Sequence, residues 1–569
     1  MPTTASPCPL PTRRLSGLAL AAALGAALGA ALTLGLFAGL PAAYARPLAD
    51  PAPVTSTADS GPGSLREALT LAVDGDTISF SLPPDSTIVV SSDLTVSVAL
   101  TIDGSTAANL TLSGGGATRV FSATAPLHLI GLNVTAGVAA DMGGGLYSTC
   151  AVSLTSVTFY SNTAGGRGGG LYTAGVLSAT ASNFLTNTAI GGRGGGVYAE
   201  AGLSFLGGLV QNNLSSGVYS AGGLGTDGMA VLTGAHVISN TAGDAGGGLR
   251  AGAGAQLTNV VFRDNSAGAL GGGAFVNGAA TLSGVTLERN QAGTDGGGFY
   301  ALGSAAAVFG GEVIRNTAGG FGGGLFAGTG LTLSGTHFLT NSAGADGGGA
   351  FVVGGGLFAE SGLFRGNQAA NGGGLAVLTG AYLTATQFFS NSALGDGGAL
   401  QLAGGDGLLV NLLLARNTAG GLGAGLNLAG GGDVIVLHVT LADSANPGAA
   451  IVVQAGSVSL TNTLLAGHAT GLNLLGGAAA EDYTLFYSTT VTATAGVASG
   501  VHSLVGDPRF INAAADDYRL GLASAGVNAG LDIGVLLDFE GQPRPFGPAP
   551  DIGADEAQVS RRFLPLLVR

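Results

Sequence analysis

Gly145-Leu-Tyr-Ser-Thr-Cys-Ala-Val-Ser-Leu-Thr-Ser-Val-Thr-Phe-Tyr-Ser-Asn-Thr-Ala-Gly-Gly-Arg-Gly-Gly-Gly170 decides the fold. Three short strands can be read from it: one at Leu146-Tyr147, one alternating through Val152 and Leu154, and one from Val157 through Phe159 to Asn162. Alternation at period two turns one apolar set inward on each strand. The stretch is too short for a helix plus a strand, and each glycine would cost a helix roughly 1 kcal/mol. It therefore reads as one coil of three strands, closed by turns at glycine and asparagine.

The stretch recurs. Asn162, Asn187, Asn240, Asn265, Asn290, Asn316, Asn341, Asn367, Asn391 and Asn417 follow one another at steps of 25, 53, 25, 25, 26, 25, 26, 24 and 26 residues. The long step holds two coils, with Asn212 or Asn213 between. A glycine triplet precedes most coils, as at Gly168–Gly170, Gly296–Gly298 and Gly347–Gly349. A fixed period in the twenties without a helix former in phase marks a stacked solenoid. Its glycines supply a tight turn and room for neighbouring backbone. The Asn corner is expected to tolerate left-handed φ and to ladder its amides between coils. Three residues earlier, Phe159, Phe184, Val237, Phe262, Leu287, Val313, Phe338, Phe364 and Phe388 should stack as one buried file.

The bulk numbers agree with a folded body. Of 569 residues, 46% are hydrophobic and 9% charged, which argues against disorder despite 106 glycines. Net charge is −14, every basic residue is Arg and no basic run exceeds two, so no nucleic-acid partner is expected. Arg13-Arg14, an apolar stretch from Leu15 to Leu40 and Ala43-Tyr44-Ala45 have the layout of a secretory signal cleaved after Ala45. Retention as a membrane anchor is the other reading of so long an apolar run. After cleavage no membrane-spanning segment is expected, and the protein would lie outside the cell or on its surface.

Both ends carry resemblances. Asp59-Ser-Gly-Pro-Gly-Ser-Leu-Arg-Glu-Ala-Leu69 followed by Gly75-Asp-Thr-Ile-Ser-Phe80 resembles the CSLREA-type leader of bacterial right-handed parallel β-helix proteins, with Gly63 in place of the Cys. In physical terms Ser64 would cap a short helix through Ala72, and Leu65, Ala68 and Leu69 would cover the first coil. Asp482-Tyr-Thr-Leu-Phe486, Gly506-Asp-Pro-Arg-Phe510, Asp517-Tyr-Arg-Leu520, Asn528-Ala-Gly530, Asp538-Phe-Glu-Gly-Gln-Pro-Arg-Pro545 and Asp551-Ile-Gly-Ala-Asp-Glu556 resemble a choice-of-anchor Q type of C-terminal domain. The repeats are similar to those of chlamydial polymorphic outer-membrane proteins. These resemblances imply an all-β, right-handed, single-stranded parallel β-helix with caps at both ends, and the corner positions from Gly137 to Gly467, with one or two more turns over Leu100–Gly104 and Leu110–Gly114, indicate about 14–16 coils. The expected organisation is a signal peptide (1–45), leader and cap (46–99), repeats (100–480), C-terminal region (481–556) and tail (557–569).

Many right-handed β-helices cleave polysaccharides, and such an enzyme would carry a recognisable catalytic signature. Gly-His-Gly, Asn-Thr-Asp and Arg-Ile-Lys are absent, and the six His are dispersed. No catalytic residue and no cofactor is expected. Asp295, Asp346 and Asp396 precede glycine blocks on alternate coils and are the candidates for a cation or glycan-contact edge. At ~9.6 Å apart they are too distant to share one Ca²⁺, whose oxygens lie within ~2.6 Å. Arg289, Arg315 and Arg416 directly precede their Asn, with Arg365 two before, and read as solvated surface. The expected function is an exported structural or adhesive rod contacting surface polysaccharide or other cell-envelope components. The alternative is a polysaccharide lyase or glycoside hydrolase with a non-standard site. Any site should lie where the repeat breaks, near Gly222–Gly228 or after Asn417.

Overall fold

A computed structural model of the chain describes residues 51–443 and 448–558. The expected signal peptide, and the tail from residue 559, lie outside the described residues.

Alternation becomes burial in every coil. Val152–Thr155 buries Val152 and Leu154 and turns Ser153 and Thr155 outward. The strand pairs in parallel with Leu127–Ile130 of the coil before and Val176–Thr180 of the coil after. Thr158–Tyr160 does the same around Phe159, between Asn133–Thr135 and Asn183–Leu185. Leu146–Ser148 completes the expected three. A fourth, two-residue strand, Thr163–Ala164, follows the Asn and belongs to its own twelve-stranded sheet. The chain is a parallel β-solenoid of about 17 coils. This is slightly more than the repeat indicated, because in-register strands start at Thr77–Ser79 and continue to Leu504–Val505. At ~4.8 Å per coil the rod is on the order of 80 Å long.

One apolar core runs along the axis, from Val54 to Phe486. The expected phenylalanine file is at its centre: Phe159 stacks on Phe184 at 5.1 Å, Phe338 on Phe364 at 4.7 Å and Phe364 on Phe388 at 4.9 Å.

The left-handed turn is displaced by one residue from its expected place. It falls on Ser161, Thr186, Asn212, Asp264, Arg289, Arg315 and Arg416, each immediately before the buried Asn. Turning the chain there swings the next side chain inward, so the Asn enters the core instead of occupying the strained position.

Within the glycine block the residues differ in role. Gly296 has φ +66°, whereas a Cβ on Gly297 would lie 2.3 Å from the Gly323 carbonyl oxygen and 2.5 Å from that of Thr317. Those oxygens belong to the next coil and cannot retreat without parting the ladder. Gly297→Ala should therefore lower the urea midpoint by the equivalent of at least ~3 kcal/mol, the upper end of overpacking costs. Gly310, at φ +63° with open space around it, should lose only ~1–2 kcal/mol on the same change. Equal losses would contradict this.

The first coil is capped as its sequence indicated. Helix Leu65–Leu71 starts at Ser64, whose hydroxyl accepts from the Glu67 N–H at 3.2 Å, and Glu67 in turn accepts from the Gly63 N–H at 2.6 Å. The Ser64 cap and the Glu67 bond to the residue before it together fix the helix start. Leu65, Ala68 and Leu69 are buried on the core, while Arg66 reaches Asp59 at 2.6 Å and the Asp93 carbonyl at 2.9 Å.

Beyond the last coil, residues 507–557 turn back along the outside of the rod. Tyr518, Leu520, Ile552 and Ala557 pack on Phe389, Leu413, Ala415, Ala442, Leu464, Ala466 and Leu485. Those positions face water in earlier coils.

Candidate functional site

The repeated asparagines form a continuous buried ladder. Asn162 Nδ2 donates to the Val134 carbonyl at 3.0 Å and to Asn187 Oδ1 at 2.9 Å, while the Asn162 N–H donates to the same Oδ1 at 3.1 Å. The same three bonds recur at Asn187, Asn213, Asn240, Asn265, Asn290, Asn316, Asn341, Asn367 and Asn391. Asn417 Nδ2 donates to the Phe388 carbonyl at 2.9 Å. Asn213, not Asn212, fills the long step. Each amide within the run uses both of its hydrogens and takes two donors on its oxygen, which is its practical capacity. The ladder joins coils and has nothing left for a ligand.

Asp295, Asp346 and Asp396 also bind protein rather than converge. Asp295 Oδ1 accepts from the Phe321 N–H, Asp346 Oδ1 from Asn371 Nδ2 and Asp396 Oδ1 from the Leu422 N–H, each at 2.8 Å. Every one of these bonds crosses to a later coil. Among the described residues no three His, Cys, Asp or Glu side chains are grouped to hold a metal ion.

The first arginines of that same register lie over aromatic rings. Arg167 sits 5.2 Å from the Tyr198 centroid and pairs with Glu200 at 2.7 Å; Arg193 sits 5.6 Å from Tyr219 and pairs with Asp227 at 3.3 Å, which Arg250 shares at 3.2 Å. Burial raises the Tyr198 hydroxyl pKa, with Asp227 adding to it. Burial opposes charge on Asp227, yet hydrogen bonds from Tyr198 and Arg250 hold it below the ordinary carboxylate range. Near Gly222–Gly228 the coil is not interrupted: Leu224–Thr226 keeps its register between Val197–Ala199 and Leu249–Ala251.

The later break is occupied. Arg365 and Arg416, read as solvated surface, face the returning segment: Arg365 lies 3.2 Å from Asp516, and Arg416 pairs with Asp516 and donates to Tyr518 Oη at 3.2 Å. Tyr518 Oη donates to Asp443 at 3.0 Å. Arg289 instead pairs with Asp264 of the preceding coil at 2.7 Å.

The densest buried charge in the described residues lies beneath this segment. The Arg544 side chain is 0% exposed. It donates to His438 Nδ1 at 2.9 Å, to Glu556 Oε2 at 3.2 Å and to the carbonyls of Asp551, Gly553 and Ala554. Glu556 Oε1 accepts from the Phe546 N–H and its Oε2 from the Asp551 N–H; Asp551 takes the Asn528 and Ala557 N–H groups, and Asp555 that of Leu520. Two further bonds tie the segment to the coils: Ala554 N–H to Thr440 Oγ1 at 2.9 Å and Gly553 N–H to the Asn462 carbonyl at 2.9 Å. The motifs Asp517–Leu520, Asp538–Pro545 and Asp551–Glu556 thus converge on one clasp. Both terminal nitrogens of Arg544 are spent on protein, and its Nε is buried without a partner, an arrangement that suits holding a shape rather than turning over substrate.

Burial pushes Asp555 up to about 7 and Asp551 up to about 6, while it pushes His438, with Arg544 beside it, down to about 3. His468, in the Asn register two coils past Asn417, is pushed down to about 4 by burial. For Asp555 the sign is plain. Its folded pKa exceeds the ordinary 3.8, so its contribution is complete below pH 3.8 and is lost as pH rises through about 7. The imidazoles act oppositely, losing stability as pH falls from 6.5, so the whole protein shows only the difference. Asp555→Asn keeps an acceptor for Leu520 and removes one carboxyl. Its melting temperature relative to the parent should climb between pH 4 and pH 7 and level above, by the equivalent of roughly 1–3 kcal/mol. A constant offset would contradict this.

No known family model matches the chain, and a search of curated proteins finds none significantly similar.

Proposed function

We propose that the protein is an exported rod on the outside of the cell that serves a structural or adhesive role and contacts carbohydrate. The observation that carries this is the single axial core, on the order of 80 Å long, stiffened from Asn162 to Asn417 by a continuous Asn ladder and repeating its side chains at ~4.8 Å. Such fixed spacing along an extended face suits a repetitive ligand. The resemblance of residues 59–80 to CSLREA-type leaders, of residues 482–556 to choice-of-anchor Q domains and of the coils to chlamydial surface repeats points the same way, and implies a right-handed winding. The layout of residues 1–45 supports export. Among the described residues no helix is long and apolar enough to cross a membrane.

The test is to fractionate the producing cell, and to screen the exported protein against a polysaccharide array for both binding and product release. Surface or medium localisation with binding alone is expected. Retention in the cytoplasm, or release of reducing ends or unsaturated sugars, would overturn the reading.

A further inference from the structure

One outward-facing column of the rod changes character partway along. In register it reads Ser153, Ser178, Ser204, Val231, Gln256, Thr281, Ala307, Thr332, then Phe358, Tyr382, Leu408, Ile435, and returns to Ser459. Phe358 is 49% exposed, Tyr382 52% and Ile435 46%. Elsewhere on the rod the aromatic files are buried and stacked ring on ring, as in Phe275–Tyr300–Phe326. Among the described residues the rings of Phe358 and Tyr382 stack on no other aromatic, so both present free faces to solvent.

We propose that this stripe is a binding platform for a linear, uncharged polysaccharide. The proposal deepens the carbohydrate-contacting role above and rests on it. Shape is the first argument. The stripe is one side chain wide at Phe358 and Tyr382 and two wide where Val410 and Leu437 flank Leu408 and Ile435, and it spans four coils, ~14 Å between its end strands, a narrow strip that matches an extended chain rather than a protein surface. Area is the second. Three half-exposed side chains of about 150–250 Å² offer on the order of 300 Å², well below the ~800 Å² per partner of a specific protein interface. A second copy of this chain is therefore a poor occupant. Charge is the third. The stripe carries none, and its neighbours Glu360, Asp406 and Asp433 are exposed acids on a chain of net charge −14. Polyuronates and phosphate polymers would be repelled. Neutral sugars would lay their C–H faces on the rings and donate hydroxyls to the flanking carboxylates and to Thr384, groups able to accept them.

The column itself supplies benign test substitutions, since serine stands at this position in three coils upstream. Full-length exported protein is run in native gels containing hydroxyethylcellulose, laminarin or mannan, with polygalacturonate as the anionic probe. At least one neutral glycan should retard it and polygalacturonate should not. The double variant Phe358→Ser/Tyr382→Ser should weaken that retardation at least tenfold at an unchanged melting temperature, and Phe358→Tyr should keep it. Retardation untouched by the double variant would overturn the proposal while leaving the rod reading in place, as it would locate sugar binding elsewhere. Lack of retardation by any neutral glycan overturns it too. So does a concentration-dependent dimer that the double variant abolishes, which would assign the stripe to a second copy. If deletion of residues 559–569 creates or strengthens binding, the tail is the native occupant and the proposal fails.

Discussion

Replacing Arg544 with Met should unlatch residues 507–557 from the rod and expose them to trypsin. Among the described residues the guanidinium supplies the one cation paired with Glu556, whose side chain is 1% exposed. It also satisfies the carbonyls of Asp551, Gly553 and Ala554 and the Nδ1 of His438. Removing one partner of a buried pair costs about 3–5 kcal/mol, because the remaining charge stays desolvated and unpaired. Release is opposed by Tyr518, Leu520, Ile552 and Ala557, with Phe510, Ala513, Ala525, Val527, Ala529 and Phe539 partly buried beside them, and by the bonds of Tyr518 to Asp443 and of Ala554 to Thr440. At 1.36 kcal/mol per decade, the expected loss raises the open population about a hundredfold or more. Arg509 and Arg519 are the natural cleavage sites, so their tryptic half-life should shorten by that factor while far-ultraviolet circular dichroism keeps its β signature. The double variant Arg544→Met/Glu556→Leu should recover most of the protection, since removal of an entire buried pair is often nearly neutral. If single and double variants cleave at the same rate, the clasp does not depend on the ion pair. If the single variant loses all β structure, the segment and the rod fold as one unit rather than as a rod with a latch.

The rod was legible because its signals repeat. A single Asn or Gly-Gly-Gly says little, but ten Asn at a constant period can only be turns of one coil. The displaced left-handed residue was not legible. Ser161, Asp264, Arg289 and Arg416 have no side-chain type in common, because only backbone conformation is required there. The latch left a trace that was available. Leu413-Leu-Ala415 and Leu464-Leu-Ala466 lose the in–out alternation of earlier coils, and all six residues are buried. Continuous apolar strands signal burial on both faces, so these runs marked a covered surface. What covers it could not be read from them, since Arg544 and His438 stand 106 residues apart. Arg365 is solvated as read, at 46% exposure, whereas Arg416 is partly covered; the Asp516 that pairs with both comes from the returning chain and could not be read from the repeat. The Asp295, Asp346 and Asp396 edge illustrates the opposite limit. Its recurrence is plain in the sequence, yet the acceptor role each carboxylate plays toward a later coil is a property of the stacked fold.

The ladder yields the second large effect. Asn290 lies midway along it, with Nδ2 bonded to the Phe262 carbonyl and Asn316 Oδ1, each at 3.0 Å, and Oδ1 taking Asn265 N–H at 3.1 Å and Asn265 Nδ2 at 3.0 Å. Asn290→Ala removes four hydrogen bonds. Asn316 Oδ1 keeps the backbone N–H of residue 290, but the Phe262 carbonyl, the Asn265 N–H and one Asn265 amide hydrogen are orphaned in a site 1% exposed. At about 1–3 kcal/mol for each orphan, the loss should be roughly 3–6 kcal/mol. In a solenoid each coil touches only its neighbours, so the damage should be local. Hydrogen exchange should accelerate most in residues 262–316 and little near either end. Asn290→Asp sharpens the test. Its carboxylate would face two acceptor oxygens, and desolvation would raise its folded pKa above the unfolded value. Stability contributed by the protonated form should then be present near pH 4 and lost as pH rises, a dependence that Asn290→Ala lacks. A loss below 1 kcal/mol, or exchange that quickens uniformly along the rod, would show that the ladder accompanies the stacking of coils without enforcing it.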